Sequence, residues 1–501
     1  MSSVTGELER SERILDTAGV CERIETLLPV GVRPRQLRVR TLLVGMLLVA
    51  LDRRPAHLRR VHQALLSLPE HDQRRLAVHA RWREGWHRLT YRQIEYTFTR
   101  VVRALSKPEP DGAPSQLLSD VLDRLLEASV QVLGEPCSTS YAVDWTDLEA
   151  WARPPPKDGT RPGHDPEAGW GHRTSTHPAQ NELFYGYYLQ ALTSVRDEHG
   201  PEIPELVRRI HLASPQHDPP AQIIPVLQRM LASGIVIGDL LADSGYSYRQ
   251  PATFAFPARA LGAQLIVDLH PNDRGPKGTH HGAIINNGRL YCPATPTTLL
   301  ELGPLHRAAT SEQTVIHDQQ SAELAHYKLS PITRPDHDGY HRASCPAAQG
   351  KLRCPHKPAS LTLPNNRPTI LDPPEHPPAC CTQQTITVPP TVNAKTAQKH
   401  DYPSAAHRTS YNRRTAAERT FATLTDRATN DLSRGWCRQM GLTPIALHTA
   451  TALIARNIRV ADSFTARQAE NQRRADRGLR PKHRKRRRTT IHDLTATAHA
   501  P

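Results

Sequence analysis

The pattern of apolar positions divides the chain into a helical beginning, a strand-rich middle and a helical end. Apolar residues recur at helical spacing in the stretches 24–28, 37–51, 94–105 and 117–133. Runs rich in β-branched and aromatic residues predict strands at 140–146, 183–195, 206–214, 235–242 and 264–269. Helices at 221–231 and 248–261 separate the last three strands. This order predicts an α/β fold in which helices flank a mixed sheet.

Prolines interrupt the pattern before the C-terminal helices. Residues 331–403 contain 14 prolines, which predicts an insertion made mainly of short strands and loops. Helical spacing returns at 415–432 and 444–460. We therefore divide the chain into an all-α module (1–105), a linker and helix (106–138), the first part of an α/β domain (139–270), a Pro/Cys-rich insertion (271–405), C-terminal helices of the α/β domain (406–465) and a basic, disordered tail (466–501).

The charge balance favours a polyanionic partner. The 501 residues carry a formal charge of +15, which favours nucleic acid or an anionic surface over a small metabolite. Most of this surplus lies in residues 473–488, which hold ten basic residues and one acid. In a DNA-processing protein such a tail neutralises phosphates without reading sequence. The predicted phosphate contacts in the tail are Arg484, Lys485, Arg486, Arg487 and Arg488.

The sequence predicts a cytoplasmic protein. The longest apolar run, residues 42–51, has ten residues, about half of the roughly 20 that span a bilayer. The N-terminus mixes acids and bases and has no apolar core of a signal peptide. Eight scattered cysteines do not form a dense disulfide framework.

Three acids occupy places where a strand or helix would hold them rigidly. Asp144 lies in the first strand, Asp243 follows the strand 235–242, and Glu418 lies on a helix. Mg²⁺ takes carboxylate oxygens from separate elements, together with water and substrate phosphates. Two such ions can activate an attacking oxygen and stabilise the leaving one. Acids at strand ends also cap helices and turns, and this alternative stays open for each acid alone.

The surroundings of Glu418 favour chemistry over a solvated ion pair. Tyr411, Arg414, Glu418 and Thr425 are spaced by 3, 4 and 7 residues, which places them on one stripe of a helix. That stripe carries a phenol, a guanidinium and a carboxylate. An exposed Arg/Glu pair explains two of these residues but not the set.

These residues carry a resemblance to a known family. The spacing of Tyr411, Arg414 and Glu418 resembles the Tyr-Arg-Glu-Lys signature of bacterial insertion-sequence transposases with a DDE triad. Asp144 in VDWTDLEAWA and Asp243 in ADSGY resemble that family's two aspartates. The segments DPEAGWGHRT and FYGYYLQ are similar to the stretch between those aspartates. The match covers residues 139–460 and, more loosely, the helical N-terminus.

The resemblance implies a ribonuclease-H-like fold and a DNA transposase. Asp144, Asp243 and Glu418 would be the catalytic residues and would bind two Mg²⁺ ions, for which Mn²⁺ can substitute. Tyr411 and Arg414 would contact DNA phosphates beside the scissile bond. The partners would be double-stranded transposon ends and target DNA, bound by a homodimer, in the nucleoid of a bacterial cytoplasm. The N-terminal module would recognise the transposon ends.

One departure keeps other functions open. The family's Lys falls at position 425, which is Thr in this chain, and Arg427 lies on the opposite side of the helix. The alternatives are a weakened or inactive DNA-binding relic, and a stand-alone nuclease on the same fold that cuts without joining.

Several other residues compete for these roles. Asp147 and Asp165 are alternatives to Asp144 but belong to the turn region after the strand, and Asp268 is expected to point away from the cluster. Zinc is disfavoured at the cysteines of the insertion, because Cys345 and Cys354 are too widely spaced for a zinc knuckle and Cys380 and Cys381 are adjacent.

Overall fold

A computed structural model describes residues 2–29, 37–82, 85–106, 115–156, 161–173, 182–306 and 308–481. Most of the predicted linker and the basic residues Arg484 to Arg488 lie outside these ranges. Within the described residues, no helix is long and apolar enough to cross a membrane.

The N-terminal region is helical, as predicted. Its elements are α1 (Ser2–Ala18), α2 (Val20–Leu27), α3 (Val39–Leu51), α4 (Leu58–Leu66), α5 (Glu70–Arg75), β1 (His79–Trp82), β2 (Gly85–Arg88) and α6 (Tyr91–Leu105). The apolar run at 42–51 lies in α3, which is buried almost throughout and is therefore a core helix. The antiparallel hairpin of β1 and β2 was not predicted.

The middle of the chain forms a mixed sheet, which confirms the α/β class. Its elements are α7 (Gln116–Leu133), β3 (Ser140–Glu149), β4 (Gly169–Arg173), β5 (Glu182–Val195), β6 (Val207–Ala213), α8 (Pro219–Ala232), β7 (Asp239–Ala242), α9 (Ser244–Ser247), α10 (Ala255–Ala260) and β8 (Gln264–Val267). Strand β5 pairs antiparallel with β3, β4 and β6. Strands β3, β7 and β8 run parallel.

Two predicted elements of this region are shorter than expected. The strand expected at 235–242 is reduced to β7, because the chain at 235–238 turns out of α8 before it joins the sheet. The helix expected at 248–261 is reduced to α10, because Pro251 interrupts the run and residues 248–254 form turns and irregular chain, whereas Pro257 is accommodated in the first turn of α10.

The insertion contains small sheets and one long helix. Its elements are β9 (Pro276–His280), β10 (Ala283–Asn286), β11 (Arg289–Tyr291), α11 (Thr297–Leu300), α12 (Ser311–Tyr327), β12 (Ser330–Pro331), β13 (His341–Ser344), α13 (Ala379–Thr382) and β14 (Ile386–Val388). The short strands agree with the prediction. Helix α12 does not, and a capping box of Thr310 and Gln313 begins it.

The C-terminal region returns to helix. Its elements are α14 (Ala405–Tyr411), a 3-10 turn (Asn412–Arg414), α15 (Thr415–Thr425) and α16 (Leu442–Asp476). Helix α15 ends before the predicted boundary at 432. Helix α16 continues beyond 465, so that residues 466–476 of the expected tail are helical.

The N-terminal helices share one hydrophobic core with α16 and the sheet. Phe98 of α6 stacks on His448 of α16 with ring centroids 5.3 Å apart. The backbone N–H of Ala56 donates to the carbonyl of Trp436 at 2.9 Å, and the amide of Asn457 bonds to the backbone of Val207 on β6. Removing residues 1–105 would therefore uncover this core.

Candidate functional site

The register of the parallel strands places three aspartates side by side at the carboxyl end of the parallel part of the sheet. Ala142 of β3 pairs with Leu241 of β7, and Ala242 of β7 pairs with Val267 of β8. If the same pairing continues, Asp144 lies beside Asp243, and Asp243 lies beside Asp268. Residues that lie side by side on neighbouring parallel strands project from the same face of the sheet. The carboxyl end of the parallel strands is therefore acidic.

Helix α15 packs on this part of the sheet through small side chains. Ala416 and Ala417 are fully buried against Ala142 of β3, Leu241 of β7 and other residues of the sheet. The hydroxyl of Thr420 lies 3.0 Å from that of Thr193 on β5. Small side chains let the helix axis approach the sheet closely, which brings Arg414 and Glu418 to the aspartates.

Two neighbouring arginines have different roles in the 3-10 turn. Arg413 is buried, and its guanidinium donates to Asp239 at 2.8 Å and to the carbonyl of Arg196 at 3.0 Å. Arg413 thus ties the turn to the sheet, away from the row of aspartates. Arg414 points toward that row instead.

Arg414 connects the first and third predicted acids. Its Nη1 donates to Asp144 Oδ2 at 3.1 Å, and its Nη2 donates to Glu418 Oε1. The guanidinium also lies over the ring of Tyr411, 5.5 Å from the centroid. Tyr411, Arg414 and Glu418 of the predicted stripe thus lie together, although a 3-10 turn interrupts the helix between them.

Burial and like charge make Asp144 and Asp243 hard to ionise. Burial and the neighbouring Asp243 together raise the pKa of Asp144 to about 6, against the lowering effect of Arg414. Burial also raises the pKa of Asp243, and the charge of Asp268 adds to this effect. A row of carboxylates with one guanidinium between them favours the approach of a further cation.

The raised pKa predicts that Asp144→Asn stabilises the metal-free protein above pH 6. The carboxyl ionises at about 6 in the fold and near 3.8 ordinarily, so wild-type stability falls as the pH rises between these values. Asn does not ionise, so the variant's free energy of unfolding does not fall with pH in this way. Above pH 6 the variant should be more stable than the wild type by up to about 3 kcal/mol. Urea unfolding of both proteins with chelator, at pH 4 and pH 8, measures the difference. A gain that is equal at both pH values would contradict the assigned cause.

Aromatic side chains support the acidic row from one side. The ring of Trp145 packs edge-on against Tyr246 with centroids 4.9 Å apart. A Cβ at Gly245 would lie 2.5 Å from the Trp145 ring, so only glycine fits between this ring and Asp243. The Gly245 N–H donates to Asp243 Oδ1 at 2.9 Å, which holds the carboxylate at the start of α9.

The competing acids fall into two groups. Asp147 accepts from Arg173 at 2.6 Å, and buried Asp165 accepts from the Tyr187 hydroxyl and the Gly441 N–H at 2.9 Å, so both have structural partners. Asp268 was expected to point away, but the register sets it beside Asp243, and its carboxylate pairs with Arg274 at 3.3 Å. The Tyr402 hydroxyl donates to Asp268 at 2.9 Å.

The donor set suits a hard divalent cation. Carboxylate oxygens on adjacent strands and a facing helix are the ligands that Mg²⁺ and Mn²⁺ prefer. As the side chains stand, no group of three or more His, Cys, Asp or Glu in the described ranges could hold a metal ion. Arg414 lies between Asp144 and Glu418 and separates them. Metal binding would require this guanidinium to move.

Thr425 is exposed at the end of α15, and its hydroxyl donates to the carbonyl of Phe421 at 3.1 Å. It therefore presents no cation where the resembling family has Lys.

Comparisons of the chain with protein families and with curated proteins found no match.

Proposed function

We propose that this protein is a DNA transposase that hydrolyses phosphodiester bonds at transposon ends and joins the freed 3′ ends to target DNA. The observation that carries the proposal is the convergence of Asp144, Asp243 and Glu418, from two parallel strands and a helix, around Arg414. These residues are far apart in sequence, and Arg414 bonds to Asp144 and to Glu418.

The sheet supports the ribonuclease-H-like part of this proposal. Four strands, β3 to β6, come first along the chain and pair antiparallel through β5, and β7 and β8 then add parallel to β3 on its free edge. The acids stand at the carboxyl end of the parallel strands, where open α/β sheets bind their ligands. Glu418 reaches the same end from a helix packed on the sheet.

Each residue of the site has a task in phosphoryl transfer. Mg²⁺ ions, when bound, would supply the charge that activates the attacking oxygen and stabilises the leaving one. Asp144, Asp243 and Glu418 would hold the ions, and Asp268 would add negative charge beside Asp243. When the ions displace Arg414 from Asp144, its planar guanidinium would be free to donate two hydrogen bonds to the phosphate next to the scissile bond.

Contacts away from the site would provide most of the affinity for DNA. The basic residues Arg484 to Arg488 would contribute nonspecific, salt-sensitive binding. The N-terminal helices would read the transposon ends. Two protomers would bridge two ends in the bacterial cytoplasm, at the nucleoid.

The test incubates the full-length protein with Mg²⁺ and a plasmid that carries the short inverted repeats flanking its gene. We expect strand cleavage at the repeats and covalent joining to a second plasmid, both abolished by chelator. Cleavage without joining would indicate the nuclease alternative, and binding without cleavage the relic. Failure to bind the repeats would overturn the proposal.

A further inference from the structure

Five of the eight cysteines lie together in the insertion. Cys292 follows β11, Cys345 follows β13, Cys354 lies in the next loop, and Cys380 and Cys381 lie in α13. All five are buried free thiols. Cys292, Cys345 and Cys354 belong to one small core cluster, and the sulfurs of Cys380 and Cys381 are 3.9 Å apart.

The two groups of thiols adjoin each other, because Cys380 and Cys381 share a second small core with Leu290 and Ala343, which precede Cys292 and Cys345 by two residues. A charge on Cys345, Cys381 or Cys354 raises the pKa of Cys292. Charges on Cys345 and Cys381 also raise the pKa of Cys354. Thiols from four separate stretches of chain therefore lie in two adjoining cores of the insertion.

Two of these cysteines lie in matching turns. Cys292 and Cys354 each precede a proline, and the N–H three residues later donates to the cysteine carbonyl at 3.0 Å in both turns. Backbone N–H groups of Ala294 and of His356 donate to the sulfurs of Cys292 and Cys354, respectively. Such bonds stabilise the negative charge of a thiolate ligand.

We propose that Cys292, Cys345, Cys354 and Cys381 bind one Zn²⁺ ion that fastens the insertion. Zinc with four thiolates is a common structural site. Sequence spacing disfavoured zinc at Cys345, Cys354, Cys380 and Cys381, and the structure adds Cys292, which comes from far upstream. As the side chains stand, no group of three or more candidate ligands in the described part of the chain could hold a metal ion, so zinc binding would have to draw the four sulfurs together.

Cys381 is assigned as the fourth ligand and Cys380 as its neighbour. The two sulfurs are 3.9 Å apart and either thiol can donate to the other, so one of the pair can be the ligand while the other supports it. Two adjacent cysteines do not readily occupy two corners of one tetrahedron. A short insertion with small cores gains stability from such a metal.

The test measures metal in the purified full-length protein by mass spectrometry. We expect one zinc per chain, loss of zinc from Cys292→Ser, Cys345→Ser, Cys354→Ser and Cys381→Ser, and full retention in Cys437→Ser. Cys437 is the matched control, because it is also buried and also accepts a backbone N–H, from Gln439. Cys380→Ser should keep its zinc.

Measurements on the unchanged protein make the result independent of whether the variants fold. Cobalt exchanged into the wild type should give the absorption of a tetrahedral thiolate site, and thiol modification should release the zinc. Wild-type protein that contains no zinc and gives no cobalt spectrum would overturn the proposal. Loss of zinc from Cys380→Ser but not from Cys381→Ser would overturn the assignment of the fourth ligand. Neither result depends on transposase activity.

Discussion

The Asp243→Asn variant is expected to lose Mg²⁺-dependent DNA cleavage by on the order of a thousandfold, or about 4 kcal/mol of transition-state stabilisation. Asp243 lies in the middle of the acidic row, with Asp144 on one side and Asp268 on the other. Its carboxylate is therefore the one best placed to share two ions. Asn keeps the shape and the oxygen that accepts the Gly245 N–H, so the fold should persist.

Single-turnover cleavage of labelled transposon ends measures this effect, with circular dichroism as the check on folding. The matched control is Asp147→Asn, because Asp147 lies on the same strand as Asp144, three residues later, and pairs with Arg173. Its side chain points to the opposite face, so its rate should change little. Wild-type cleavage by Asp243→Asn would remove Asp243 from the catalytic site.

The Arg414→Gln variant is expected to bind Mg²⁺ more tightly and to cleave DNA more slowly. Arg414 neutralises Asp144 and Glu418 in the metal-free site, so it competes with a metal ion for the same carboxylates. Removing its charge should strengthen metal binding by about tenfold. Cleavage should fall roughly a hundredfold, because a cationic donor to the reacting phosphate is lost.

Calorimetric titration with Mg²⁺ and the cleavage assay measure the two effects on the same protein. Arg419→Gln is the control, since Arg419 lies one residue beyond Glu418 but pairs with Glu205. That variant should leave metal affinity nearly unchanged. If Arg414→Gln weakens metal binding, Arg414 holds the carboxylates in place and does not compete with the ion.

Elements with a strong pattern were predictable from the sequence. Helices α7 and α8 and strands β3, β5, β6 and β8 lie where the apolar spacing put them. Helix α12 was missed because few of its side chains are buried, so it lacks an apolar stripe. The capping box at Thr310 was the signal that could have revealed it.

The candidate site was only partly predictable. The spacing of Tyr411, Arg414 and Glu418 places them on one stripe in any helix, and the structure retains that stripe. The part played by Asp268 was not visible, because the direction of a strand-end side chain depends on which strand pairs beside it and in which register. The carboxyl ends of consecutive parallel strands were the available signal.

The sequence by itself determined which residues have chemistry to offer and, through periodicity, which helices and strands carry them. Only the tertiary structure decided that Arg413 is a buried anchor while Arg414 faces the acids, since the two residues are chemically identical. It also decided that Cys292 shares a core with Cys345 and Cys354, which lie far along the chain. Local patterns follow from short-range sterics and spacing, whereas these contacts arise from strand register and packing between distant segments.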